Sequence, residues 1–142
     1  YASNTMLKYK TSDYMDWFMD LGFKAVKVFL RHGPEEGLAG LNKNVEIIAN
    51  VREQIGPDVE LAVDSWLSLN IEYAVRVCEA LKPYNIKWLE DYMLPEDMDS
   101  YAKLRSRVPG QTLATGEHWY TIHPFADAAG RGLVDILQPD IQ

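Results

Sequence analysis

The chain has 142 residues, 47% of them hydrophobic and 25% charged, a composition that gives a globular core and excludes a disordered chain. Its formal net charge of −7 disfavours nucleic acid and anionic membrane as partners, since both reward positive surface, and means that an anionic substrate needs a local cation. No apolar run nears the roughly 18 residues of a membrane helix, and "YASNTMLKYK" lacks the apolar block of a secretory signal, so a cytoplasmic protein is expected.

Strand-like and helix-like segments alternate from the start. "YASNT" (1–5) reads as a short strand, and "SDYMDWFMDLG" follows as a helix with Ser12 as its cap and Gly22 as its stop. "FKAVKVFL" (23–30) is an apolar strand. "GLNKNVEIIANVREQIGPD" carries Val45, Ile48, Val51, Arg52 and Ile55 at helical spacing before Gly56-Pro57 ends it. The scheme repeats with strands "VELAV" (59–63), "IKWLE" (86–90), "QTLAT" (111–115) and "VDILQ" (134–138). Between them lie the helical "IEYAVRVCEALKPYN", "DMDSYAKLRSRVPG" and the shorter "HPFADAAGRG", with Pro124 suited to a first turn. Cys78 is the only cysteine, in a helical pattern where a small buried side chain is the ordinary role, and no intrachain disulfide can form. No linker or low-complexity tract divides the chain. This cadence predicts a parallel α/β sheet with right-handed crossovers.

Acidic residues fall at the strand ends. Asp64 closes "ELAVD", Glu90 closes "KWLE", Glu117 follows "LATG" and Asp140 closes "ILQPD", at intervals of 26, 27 and 23 residues, one strand-plus-helix unit each. In a (β/α) barrel all strands run one way, so their ends gather on the rim that holds active sites. Counting back by two places Ala62, Trp88, Thr115 and Gln138 on the inward face with the acids, and Val63, Leu89 and Leu137 toward the helices. Two carboxylates about 4 Å apart repel by about 4 kcal/mol at an effective dielectric near 20, so a positive group must sit among them. A hard divalent cation with oxygen ligands satisfies this, magnesium better than calcium where water and substrate share the site. The competing reading is that each acid caps the following helix.

"AVKVF", "RHGPEEG", "AVDSW" with "DSWLSL", "WLEDYMLPED", "TGEH" and "ILQPD" resemble the strand ends of the enolase superfamily, in its mandelate racemase-like branch, and most closely the L-rhamnonate dehydratases. The resemblance runs through the chain and implies that Asp64, Glu90 and Glu117 are magnesium ligands and that Asp140 pairs with a catalytic histidine. It implies a hydro-lyase that takes the proton next to a sugar-acid carboxylate, passes through an enediolate and loses water to give a 2-keto-3-deoxy acid. A Lys or His base with magnesium is the general description of such sites. The full-length protein is then expected to be a homo-oligomer acting on a small sugar acid.

Two features depart from the superfamily pattern. Where Lys-x-Lys is common, the triplet here is Lys27-Val28-Phe29, so one base gives way to a ring. That favours a one-base dehydratase over a racemase or cycloisomerase; a non-catalytic metal-binding barrel would keep the ligands and lack the base. Lys27 is a candidate for the substrate carboxylate, or a strand lysine paired with the nearby acids. The second departure is length. A whole barrel takes about 250 residues, and six strands are visible, so residues 1–142 are expected to be the central part of a TIM-type barrel, without the capping domain and last strands. None of His32, His118 and His123 suits the partner of Asp140, so that histidine is expected beyond Gln142. His118, beside Glu117, and Trp66, by parity with Asp64, are further pocket candidates, and His32 is a loop contact for an anionic sugar. Trp17 and Trp88 read as packing residues.

Overall fold

In the computed structural model, residues 1–3 and 11–141 are described. They form six strands and five helices in strict alternation: β1 (Ala2–Ser3), α1 (Thr11–Asp20), β2 (Ala25–Phe29), α2 (Gly37–Ile55), β3 (Glu60–Asp64), α3 (Ile71–Leu81), β4 (Leu89–Glu90), α4 (Met98–Arg107), β5 (Leu113–Thr115), α5 (Ile122–Arg131) and β6 (Ile136–Leu137). All strands are parallel and neighbours in chain order, β1-β2-β3-β4-β5-β6. This is the expected α/β arrangement of part of a TIM-type barrel. The end of the predicted first strand, residues 4 and 5, lies outside the described residues.

Alternation along the strands divides the side chains between two faces. Val26, Val28, Leu61, Val63, Leu89 and Leu113 belong to one buried cluster with Ile48, Val51, Val77, Leu81 and Leu104 of the helices. Apolar burial of this kind, about 25 cal/mol per Å², holds the helices on the sheet. The opposite face carries Lys27, Ala62, Asp64 and Glu90, with Lys27 beside Ala62 and Asp64 beside Glu90 in register. Among the described residues no helix is long and apolar enough to cross a membrane.

Local chemistry explains the boundaries. Ser12 lies inside the first turn of α1, which begins at Thr11, so it is not the cap that the sequence suggests. Helix α2 starts at Gly37, earlier than its periodic core, because a tight turn over Pro34–Glu36 leads into it. Asn70 and Asp97 cap α3 and α4, accepting from Tyr73 N at 2.9 Å and Ser100 N at 3.0 Å. Arg52 is only half-buried and points out of the apolar stripe. It donates to the carbonyls of Tyr84, Gly56 and Val59 at 2.9, 2.9 and 2.7 Å, tying the end of α2 to the loops before β3 and β4. Cys78 is buried in α3, as expected, and burial pushes its thiol up to about 12. Trp17 is 57% exposed and so is not the packing residue that its helical position suggests.

Candidate active site

Lys27 is the hub of the inward face. Its Nζ lies 2.8 Å from Asp64 Oδ2 and also donates to Glu90 Oε1. All three side chains are almost fully buried. Burial works against the ammonium, but the hydrogen bonds and charges of Asp64 and Glu90 outweigh it and hold Lys27 above the ordinary lysine range. Burial in turn pushes Asp64 up, against the pull of Lys27. The remaining oxygens have fixed partners. Asp64 Oδ1 accepts from Trp66 N at 2.9 Å and Glu90 Oε2 from Trp88 Nε1 at 2.7 Å. Trp88, read from sequence as packing, therefore orients a carboxylate.

Neither acid caps a helix, since Asn70 and Asp97 do that work. The carboxylates are instead turned inward at the strand ends. Rings line the same space: Lys27 Nζ is 5.4 Å from the centroid of Tyr1 and 5.6 Å from that of Phe29. Phe29 thus occupies the position of the missing second lysine, next to the first.

The loop after β3 is strained. Trp66 and Leu67 have φ of 42° and 63°, in the left-handed region, and persist because Leu67 N bonds to Asp91 O at 2.6 Å and Ser65 Oγ to Glu90 O at 2.9 Å. The strand ends at Asp64, so its alternation does not carry on to Trp66, which stands 55% exposed.

A second group of polar side chains forms where β4 and β5 end. Ala114, not Thr115, is the register partner of Glu90. Thr115 therefore shares the helix-facing parity of Leu113, a correction to its inward assignment: Gly116, at φ 138°, breaks the count back from Glu117. Asp91, at φ 46°, is fully buried and accepts from Thr115 Oγ1 at 2.7 Å. His118 Nε2 lies 3.4 Å from Asp91 Oδ2 and 3.4 Å from Glu117 Oε1. Burial pushes Asp91 up to about 7, with Thr115 opposing and the charges of Glu117 and Asp64 adding to the rise. Nothing in the sequence pattern marks Asp91, because strand parity alone turns it away from Glu90.

Of the expected site residues, five fall in these two clusters, and Asp140 and His32 lie in neither. Lys27, Asp64 and Glu90 meet directly, and Glu117 turns one oxygen to His118. Asp140 is exposed beyond β6. His32 is half-buried, with Nδ1 2.7 Å from Glu36 Oε1, in a loop held by Asn44, which accepts from the backbone of Arg31 and His32 at 3.1 and 3.2 Å.

A parallel β/α layer with carboxylates gathered at its strand ends has the architecture of part of a (β/α) barrel, with its polar groups on one rim. The chain belongs to the enolase C-terminal domain-like family, whose family model matches residues 12–142. It is 42% identical to an L-rhamnonate dehydratase of Saccharopolyspora erythraea over 134 residues, which is 94% of this chain and 34% of that protein. The crystal structure of rhamnonate dehydratase from Gibberella zeae complexed with Mg is 37% identical, with TM-score 0.82 over 86% of this chain and 30% of that one. The 3,6-anhydro-D-galactonate cycloisomerase of Zobellia galactanivorans is 29% identical, with TM-score 0.86 over 99% of this chain and 38% of that one. The chain spans about a third of the length of the curated relatives it matches.

Proposed function

We propose that this chain is the metal-bearing barrel core of a longer, cytoplasmic, magnesium-dependent acid-sugar dehydratase, with L-rhamnonate as substrate. The observation that carries the reading is the buried pair of carboxylates, Asp64 and Glu90, converging on one cation at adjacent strand ends. Buried like charges are costly unless a cation neutralises them, and oxygen donors already oriented by Trp66 N and Trp88 Nε1 fit a hard ion. Asp64, Glu90 and Glu117 would hold magnesium, which supplies fixed positive charge to the substrate carboxylate as the neighbouring carbon loses its proton.

Lys27 binds the same carboxylate as a point charge, and Phe29 beside it leaves that side of the substrate without a second base. His118, Trp66 and His32 line the approach for the sugar hydroxyls. Asp140 acts as a positioning residue for a histidine supplied by another part of the full-length chain, fixing its tautomer and raising its basicity. That histidine takes the α-proton; the hydroxyl on the next carbon, protonated by an acid, departs as water, and the resulting enol takes up a proton on carbon to give the 2-keto-3-deoxy acid. The full-length protein is read as a homo-oligomer with a capping domain and further strands.

The test is proton NMR of the full-length protein with L-rhamnonate and magnesium in heavy water. The expected product is a 2-keto-3-deoxy acid, with recovered substrate of unchanged configuration. Epimerised substrate would favour the racemase or cycloisomerase alternative, and an inert mixture with bound magnesium would leave a metal-binding barrel without dehydratase activity.

A further inference from the structure

The cluster at the ends of β4 and β5 contains two buried polar atoms without hydrogen-bond partners among the described residues, Asp91 Oδ2 and His118 Nε2. Such atoms are expensive, and each calls for a physical explanation. Asp91 is fully buried and its other oxygen is committed to Thr115 Oγ1, so Oδ2 is fixed in direction toward His118. His118 Nε2 lies 3.4 Å from that oxygen and 3.4 Å from Glu117 Oε1, and the three donor atoms all lie within 4.8 Å of one another.

These separations decide between two explanations. A protonated imidazole bridging the carboxylates would make charge-assisted bonds of about 2.7–2.9 Å, well short of the observed spacing. Two donors on one tetrahedral ion, each about 2.0–2.2 Å from it, stand about 3.3–3.6 Å apart. We propose that Asp91, Glu117 and His118 form a second divalent-cation site, distinct from the magnesium site, that takes a nitrogen-accepting transition metal of the zinc class. The imidazole sets the preference, because magnesium demands oxygen donors, whereas zinc binds imidazole and carboxylate together.

Position in the fold keeps the two sites apart. Asp64 and Glu90 project from the inward face, while Thr115, which fixes Asp91, has the helix-facing parity of Leu113. His118 also borders an open cleft of about 340 Å³ with Leu67, Pro95 and Tyr120, which gives an ion a route in. Glu117, whose Oε1 faces His118, is the one ligand that the two readings would share. The inference otherwise stands apart from the dehydratase reading.

The experiment loads the full-length protein with excess magnesium and titrates it calorimetrically with Zn²⁺, then with Co²⁺ while recording its visible d–d absorption. The expected result is one equivalent of zinc per chain in the presence of magnesium, and a cobalt spectrum of low coordination number. His118→Gln, at a partly exposed position that tolerates the change, should weaken zinc binding by at least about tenfold. Glu90→Gln should lose magnesium and keep zinc, so failure of the magnesium reading and failure of this one are told apart. Asp91→Asn should repeat the His118→Gln result. No zinc uptake over magnesium, uptake indifferent to His118→Gln, or uptake abolished by Glu90→Gln would each overturn the site.

Discussion

Replacing Lys27 with methionine keeps most of the stem volume and removes the charge that neutralises Asp64 and Glu90. At 2.8 Å and an effective dielectric near 20, the attraction to Asp64 alone is worth about 6 kcal/mol before desolvation is subtracted. Breaking a buried ion pair from one side costs about 3–5 kcal/mol, because the partner charge stays buried. Lys27→Met in the full-length protein should therefore lose about that much stability in urea with EDTA present. Magnesium binding only the folded state adds about 2.7 kcal/mol at a hundredfold excess over its dissociation constant. That increment should be larger in the variant than in the parent, since no ammonium then competes for the same carboxylates. The pH dependence carries a definite sign. Burial already pushes the Asp64 carboxyl up against the pull of Lys27; without Lys27 it rises further above the unfolded value, so the variant should regain stability as pH falls and lose it as pH rises through the folded pKa of Asp64. A loss under about 1 kcal/mol, or a magnesium increment equal to the parent's, would refute this account of the inward face.

Three further outcomes follow from the geometry. Asn70→Ala removes the oxygen that accepts from Tyr73 N, and should cost about 1 kcal/mol in urea denaturation without changing magnesium affinity. Gly116→Ala forces a side chain into φ 138°, with its Cβ 2.8 Å from Phe125 Cε1 and 3.1 Å from Gln138 N; a loss of about 1–3 kcal/mol with weakened magnesium binding is expected, and unchanged calorimetry would count against the turn's role in placing Glu117. Cys78, with its thiol pushed up to about 12 by burial, should resist alkylation at neutral pH in the native protein and react on unfolding, as peptide mass mapping would show.

The fold was legible because each helix gives way to the next strand across a Gly or Pro: Gly22, Gly56-Pro57, Pro83, Pro109-Gly110 and Gly132. The predicted strands at 86–90 and 134–138 nevertheless shrink to Leu89–Glu90 and Ile136–Leu137, since apolar character outlasts the paired backbone. Asp64 and Glu90 were legible as a pair because both lie on unbroken strands in register. Parity stopped being a guide wherever the backbone turned left-handed: past Asp64, where Trp66 no longer continues the strand; at Gly116, across which the count from Glu117 misplaces Thr115; and at Asp91, which no count from Glu90 would select. The orienting bond from Trp88 Nε1 to Glu90 was equally hidden, as an inward tryptophan reads the same whether it packs or donates.

The most direct test of the central claim is calorimetric titration of magnesium into the full-length protein and its Glu90→Gln variant. The account predicts one magnesium per chain in the parent and binding lost in the variant, with the urea midpoint in EDTA unchanged or raised as a buried negative charge disappears. Full magnesium affinity in Glu90→Gln would contradict it.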